Sequence, residues 1–130
     1  MSDVEEVIQT VESMTRSFHE GDLEKVMDHY EQPSTIVFEP GVGVSDPELQ
    51  RQGFRNFFAL SPRFTYGGHE VFVAGNYALH IAPWTMRGTG PGGAAVNQSG
   101  LSVAVLVRQN DGTWLLVLDD PFGAQLLQRS

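Results

Sequence analysis

Apolar residues at the start of the chain recur every three or four positions, the spacing at which side chains share one face of an α-helix. The residues of this stripe are Val4, Val7, Ile8, Val11, Met14 and Phe18. Ser2 and Glu5 form a capping box ahead of the stripe, and Gly21 follows it as a helix stop. The pattern therefore predicts a first helix that buries one face against a core.

Two more helices are predicted before the chain changes to strands. Asp22 is the expected N-cap of the second helix, and Pro33 is expected to end it. The buried side of this helix is predicted to hold Leu23, Val26, Met27 and Tyr30. A short strand is expected over residues 35–38. Asp46-Pro47-Glu48 then provides an N-cap and a first-turn proline, which indicate a third helix. One face of that helix is predicted to hold Phe54, Phe57 and Phe58.

From residue 63 onward the apolar period changes to two, the period of a strand with one buried face. The predicted strands cover residues 64–74, 77–87, 95–108 and 113–120. Gly75-Asn76 and Asn110-Asp111-Gly112 are turn sequences between them. Helices followed by a meander of long strands predict one α+β domain over residues 1–130, with three N-terminal helices packed on a curved antiparallel sheet.

Composition and charge exclude several classes of protein. The chain contains no cysteine, which excludes disulfides, thiolate metal sites and cysteine nucleophiles. The net charge is −8, and the first 31 residues hold nine acidic and two basic residues. This charge is either the solvated face of two helices or a surface for a basic partner. Nucleic acid is not an expected partner, because phosphate binding needs clustered lysine and arginine.

Neither a membrane span nor a signal peptide is expected, because no apolar run approaches the ~20 residues of a membrane helix and the first helix is acidic. A cytoplasmic location is therefore the expectation. No cofactor is predicted either. Gly88-x-Gly90-x-x-Gly93 has the letters of a dinucleotide fingerprint, but a strand follows it instead of a helix. No metal is predicted, since the histidines lack metal-ligand spacing. They are His19, His29, His69 and His80.

Three segments of the sequence together resemble the SnoaL-like and ketosteroid isomerase-like group of the nuclear-transport-factor-2-like (cystatin-like cone) superfamily, and most closely its uncharacterised members. The segments are residues 18–26 with Tyr30, residues 35–41 followed by a helix ending in Phe57-Phe58, and residues 108–114 leading into Pro121-Phe122-Gly123. The resemblance implies helices that close one side of a strongly curved sheet, which forms a cone around an apolar pocket. It also implies homodimers, which are common in that group.

The resemblance carries over only part of the steroid isomerase site. Glu39-Pro40 occupies the place of the Asp-Pro pair that supplies the general base. The two oxyanion donors of those enzymes correspond to Met14 and about Ala104, neither of which can donate a hydrogen bond. Loss of one such donor costs on the order of 3–4 kcal/mol of transition-state stabilisation. Steroid isomerisation itself is therefore not expected.

Strand alternation and the resemblance together select the candidate pocket residues. We predict Glu39, His80 and Asp120 as catalytic groups, with Asp119 pointing outward. The predicted substrate-binding residues are Tyr30, Phe57, Trp84, Met86 and Phe122. The opposite face of the third long strand is too apolar for open water, and we predict that it forms the homodimer interface. Its residues are Leu101, Val103, Val105 and Val107.

The polar candidates also have purely structural interpretations. Glu39 can lie in solvent at a strand end, His80 can be a core histidine, Asp120 can cap the turn before Pro121, and Tyr30 can be a packing residue. Three functions therefore remain open. The chain can be an acid–base isomerase or cyclase that acts on a ketone-type or polycyclic substrate. It can bind a hydrophobic small molecule without catalysis, or serve as a dimeric interaction domain.

Overall fold

The three predicted helix starts are present in a computed structural model that describes residues 1–128. Helix α1 spans Asp3–His19, α2 spans Leu23–Met27 and α3 spans Pro47–Phe58. The side chain of the preceding Ser2, Asp22 or Asp46 accepts a hydrogen bond from a first-turn backbone N–H in each case. These caps satisfy N–H groups that have no partner inside the helix. No helix in residues 1–128 is long and apolar enough to cross a membrane.

The predicted second helix is too long, because Tyr30 belongs to a strand. Helix α2 ends at Met27, and strand β1 spans Tyr30–Glu39. Tyr30 lies beside Leu116 in a parallel pairing, and the N–H of Leu116 donates to the carbonyl of His29 at 2.8 Å. Pairing with a distant strand therefore overrides the helical spacing that placed Tyr30 with Val26 and Met27.

The chain forms one curved sheet from seven strands in residues 1–128. After β1 the strands are β2 (Val42–Val44), β3 (Arg63–Tyr66), β4 (Glu70–Ala74), β5 (Tyr77–Thr89), β6 (Ala95–Arg108) and β7 (Trp114–Asp120). Their order is β2-β1-β7-β6-β5-β3, and β4 also pairs with β5. The pair β1–β7 is parallel and the other pairs are antiparallel. The predicted α+β architecture is confirmed.

The predicted strand over residues 64–74 is two strands in the structure. β3 ends at Tyr66 and β4 begins at Glu70, and both pair with β5. Gly67 and Gly68 interrupt the ladder, and Gly68 has a φ of +126°, which non-glycine residues rarely adopt. The interruption places His69 in the connection between the two strands.

Helix α1 packs across the inner face of the sheet and contacts β3, β4, β5 and β7. The buried core that results consists of Val7, Phe18, Val26, Met27, Tyr30, Ile36, Phe54, Ala78, Ala104, Leu106, Trp114 and Leu116. One row of that inner face crosses five strands through successive paired residues. The row is Ile36, Asp119, Ala104, His80 and Val71. The sheet therefore holds an acid and a histidine on either side of a small alanine.

A β-bulge in β7 decides which of its residues face inward. Leu106 pairs with Leu116, whereas the preceding Val105 pairs with Leu118, so Val117 is the extra residue. An extra residue shifts the alternation of faces by one. Leu116 is buried, but Leu118 is 43% exposed and Asp119 lines the interior. The prediction that Asp120 faces the pocket and Asp119 points outward is therefore wrong.

Candidate functional site

An apolar cavity of about 100 Å³ lies between the helices and the inner face of the sheet. Its aromatic walls come from Phe18, Tyr30, Phe38, Phe54, Phe57, Phe64, Tyr66, Trp84 and Phe122. The polar groups along it are Thr15, Tyr30, Tyr66, His80, Gln98, Ser102 and Asp119. An apolar cavity with a few convergent polar groups is the usual form of a small-molecule site.

The carboxyl group of Asp119 is held by a single hydrogen bond from Tyr30. The Tyr30 hydroxyl donates to Oδ2 of Asp119 at 2.5 Å. Among the residues that the structure describes, the other oxygen, Oδ1, has no hydrogen-bond partner, and Asp119 lines the cavity. Tyr30 therefore fixes one carboxylate oxygen and leaves the other free to meet a ligand.

The surroundings of Asp119 set its protonation close to neutral pH. Burial raises the pKa of the Asp119 carboxyl to about 6, although the hydrogen bond from Tyr30 opposes the rise. The nearby charge of Asp120 raises it further. A carboxyl with a pKa of about 6 is ionised at neutral pH and still basic enough to take up a proton. This combination suits a general base.

Two tyrosine hydroxyls stay protonated beside this carboxyl. Burial, and then the charge of Asp119, raises the pKa of Tyr30 well above its usual range. Burial also raises the pKa of Tyr66 to about 12. Thr15 donates its hydroxyl proton to the carbonyl of Val11 at 2.9 Å, so the Tyr66 hydroxyl is the donor in its 2.8 Å contact with Thr15. Both tyrosines are therefore hydrogen-bond donors with fixed partners.

The walls near Asp119 are fixed by a contact between Trp84 and the end of β7. Nε1 of Trp84 donates to the carbonyl of Pro121 at 2.9 Å. Gly100 makes room for this arrangement, because a Cβ at that position would lie 2.8 Å from the Trp84 ring and 2.9 Å from the Pro121 carbonyl. The indole thus lines the cavity and anchors the chain that follows the carboxylate.

Five of the predicted site residues line the cavity. They are Tyr30, Phe57, His80, Trp84 and Phe122. His80 is 1% exposed, and burial lowers its pKa to about 4, an effect that His69 increases. It is therefore neutral at neutral pH. Alternation along β5 predicted the inward direction of His80 and Trp84, because β5 pairs with β6 without a bulge.

The structure places the other three predicted site residues away from the cavity. Glu39 is exposed at the tight connection from β1 to β2, where the chain turns away from the interior. Asp120 lies beyond the bulge, and its Oδ1 accepts a hydrogen bond from the N–H of Phe122 at 2.9 Å. Asp120 therefore caps the turn at Pro121, which was the structural alternative to a catalytic role. Met86 is buried with its sulfur directed toward Gly88, under the loop that carries Leu60.

Sequence reasoning missed Asp119, Tyr66, Thr15 and His69. Tyr66 could have been found, since it has the same strand parity as Phe64, which also lines the cavity. Thr15 lies one residue after Met14 of the apolar stripe. It was not assigned to the buried face because that face was identified from apolar residues alone. Asp119 had no local signal, because the bulge depends on pairing with β6. No group of three or more His, Asp or Glu side chains in residues 1–128 could hold a metal ion.

Comparison with known families and curated sequences gives one match. A family model described as a SnoaL-like domain matches residues 11–117. Comparison with curated protein sequences finds no match. The matched residues include the C-terminal half of α1, which carries Thr15, and nearly all of the sheet, and they end shortly before Asp119.

Solved structures with the same fold have low sequence identity to this chain. A provisionally named dehydratase of the nuclear-transport-factor-2-like family from Streptomyces avermitilis is 21% identical, with a TM-score of 0.79 over 90% of this chain and 93% of that one. A provisionally named ketosteroid isomerase from Shewanella frigidimarina is 16% identical, with a TM-score of 0.71 over 85% and 90%. The S. rosetta CaMKII hub is 17% identical, with a TM-score of 0.77 over 92% and 95%.

Proposed function

This chain belongs to the SnoaL-like domain family, and on that premise we propose that it is an acid–base enzyme that moves a proton next to the carbonyl group of a small apolar ligand. The observation that carries the proposal is the Asp119 carboxyl, which lines the cavity with one oxygen held by Tyr30 and the other unpaired. Asp119 replaces Glu39 and Asp120 as the proposed base. An apolar cavity excludes water that would otherwise compete for the proton, so a base inside it stays available to the ligand.

The proposed reaction begins with removal of a proton from the carbon beside the carbonyl. Oδ1 of Asp119 takes the proton, and the electron pair of that C–H bond moves into the carbonyl to form an enolate or enol. Tyr30 remains hydrogen-bonded to Oδ2 and holds the carboxyl in place. Return of the proton to a different carbon completes an isomerisation. In a cyclisation, the deprotonated carbon attacks a second carbonyl carbon of the ligand, and the oxygen of that carbonyl receives the electron pair of its π bond and the proton held by Asp119. General-base catalysis of this kind contributes typically ~10²–10⁴-fold.

The size of the cavity limits the part of the ligand that can enter. The cavity is about 100 Å³. A cavity of about 150 Å³ is known to bind benzene, and sites for drug-sized ligands are typically about 300–1,000 Å³. Because the cavity is smaller than the one that binds benzene, we propose that the carbonyl-bearing edge of a single-ring ketone, or of an unsaturated ketone of similar size, lies beside Asp119. A polycyclic substrate would place one ring inside and the others outside.

The test is solvent-deuterium exchange into cyclohexanone, cyclohexenone and decalone, followed by proton NMR. We expect exchange beside the carbonyl of the one-ring ketones at least ~10²-fold faster than with acetate at the same concentration. The rate should rise as the pH is raised through about 6, because Asp119 acts as a base only when it is ionised. No exchange above the acetate control, with any of the three ketones, would contradict the proposal.

A second candidate function follows from the outer face of the sheet. Four apolar residues form a row across β4, β5, β6 and β7 by successive pairing, namely Phe72, Leu79, Val105 and Leu118. Phe72 is 57% exposed. The predicted homodimer face overlaps this row at Val105, whereas Leu101 and Val103 lie against Gly123 of the chain's own C-terminal segment. We propose that a second copy covers this row.

The expected oligomeric state is a dimer, measured by sedimentation equilibrium. Phe72→Lys should convert the dimer to a monomer, because it places an unpaired charge within an apolar contact. Val42→Lys is the matched control, since Val42 is similarly exposed but lies on β2, at the other end of the sheet from β4. A monomeric wild-type protein at micromolar concentration would contradict the dimer.

A further inference from the structure

Two histidines connect the wall of the cavity with the surface of the protein. His80 lines the cavity from β5 and is 1% exposed. Its Nε2 lies 2.8 Å from Nδ1 of His69, which is half-buried in the connection between β3 and β4. The Tyr66 ring packs beside both imidazoles, with centroid distances of 5.2 Å to His69 and 6.4 Å to His80. The buried imidazole therefore reaches solvent through a second imidazole.

The hydrogen bond between the rings contains one proton, which either nitrogen can carry. A neutral imidazole has one N–H, which donates, and one bare nitrogen, which accepts. When Nε2 of His80 accepts the proton of the bond to His69, Nδ1 of His80 is a donor, and when Nε2 donates, Nδ1 is an acceptor. Within residues 1–128, Nδ1 of His80 is buried and has no hydrogen-bond partner. An unpaired buried polar atom costs about 1–3 kcal/mol. The chain of hydrogen bonds thus begins near solvent at His69 and ends at an unpaired atom of His80, a residue that lines the cavity.

The position of this atom relative to Asp119 follows from the register of the sheet. His80 pairs with Ala104, and Ala104 pairs with Asp119. Two strand spacings separate His80 from Asp119, which is about 9–10 Å between their Cα atoms. The residue between them has only a methyl side chain. A ligand that lies over Ala104 would therefore have Asp119 on one side and His80 on the other.

We propose that His69 and His80 form a proton relay that exchanges protons between solvent and an oxygen atom of the ligand, with Nδ1 of His80 as the atom that meets the ligand. His69 takes a proton from water at Nε2 and passes its Nδ1 proton to Nε2 of His80. His80 then passes its own Nδ1 proton to the ligand oxygen. Each ring gains one proton and loses one, so neither becomes charged.

This relay deepens the proposed function and rests on it for the identity of the ligand. When Asp119 removes a proton beside a carbonyl, negative charge develops on the carbonyl oxygen, and a donor aimed at that oxygen lowers the barrier. A neutral imidazole is a suitable donor for a carbonyl in a buried site. His80 supplies the proton that converts the enolate to an enol, and His69 replaces it from solvent.

The test observes the relay in the free protein by NMR with nitrogen-15-labelled histidine. We expect the N–H proton of His80 to exchange with water too fast to give a sharp signal, although the ring is buried. His69→Gln keeps a side-chain N–H that can donate to Nε2 of His80 but cannot pass a proton on. The variant should therefore slow the exchange by at least ~10-fold and reveal the signal. His29→Gln is the matched control, since His29 is half-buried away from the cavity.

A sharp, slowly exchanging His80 signal in the wild-type protein would overturn the relay, as would equal exchange rates in the wild-type protein and His69→Gln. A second arm adds cyclohexanone. Bound ketone should move the Nδ1 resonance of His80, and ketone binding that raises the melting temperature but leaves the Nδ1 resonance unchanged would overturn its contact with the ligand. Failure of the ketone to bind would count against the proposed function, while the exchange rates would still decide the relay.

Discussion

Asp119→Asn is expected to abolish the exchange of deuterium into cyclohexanone, with a loss of ~10²–10⁴-fold. The amide has nearly the same shape as the carboxyl and can still accept the hydrogen bond from Tyr30, but it cannot take up a proton. The measurement is the exchange rate at a pH above 6, where the wild-type carboxyl is ionised.

Asp120→Asn provides the matched control for this substitution. Asp120 is the neighbouring carboxylate, and it accepts a hydrogen bond from the N–H of Phe122 at 2.9 Å. An asparagine oxygen can accept the same bond, so we expect the turn and the exchange rate to be retained. Equal rates for the wild-type protein and Asp119→Asn, or a larger loss for Asp120→Asn, would show that Asp119 is not the base.

Asp119→Asn should also stabilise the protein at neutral pH. The pKa of Asp119 is raised from 3.8 to about 6, so the folded state holds its proton over a pH range in which the unfolded state has lost it. Stability therefore falls as the pH rises from about 4 to about 6, and the cost stays constant above that range. Removing the charge should recover on the order of 3 kcal/mol above pH 6 and nothing below pH 4. A group retained at a cost to stability is typical of functional sites.

Phe18→Ala is expected to cause the largest loss of stability, about 3–5 kcal/mol in the free energy of unfolding. Phe18 lies at the centre of an aromatic cluster and makes edge-to-face contacts with Phe54, Phe57, Phe58 and Phe64, at centroid distances of 5.7, 6.4, 4.8 and 5.5 Å. Its removal leaves a void between α1, α3 and β3. Chemical denaturation with urea, fitted to a two-state transition, measures the loss.

Phe72→Ala is the control for the aromatic cluster, because it removes the same side chain from a 57% exposed position. We expect a change within about 0.5 kcal/mol when the protein is measured at a concentration where it is monomeric. A loss for Phe18→Ala no larger than that for Phe72→Ala would mean that the cluster does not hold the helices to the sheet.

Local sequence by itself determined where the helices begin and which fold the chain adopts. Ser2, Asp22 and Asp46 are caps whose side chains bond to backbone groups within three residues, so their effect does not depend on distant parts of the chain. The long strands and their turns were also predictable, because period-two patterning and glycine-containing turns are local features. The cavity walls Trp84 and His80 followed from alternation along β5.

The tertiary structure alone decided the chemistry of the site. The single extra residue at Val117 moves Asp119 inward and Asp120 outward, and the register with β6 sets this bulge. Tyr30 meets Asp119 only because β1 pairs with β7 across most of the chain's length. His69 reaches His80 because two glycines break a strand. Each of these contacts joins residues whose relative position is fixed by strand pairing, and the free energy of that pairing depends on both partners at once.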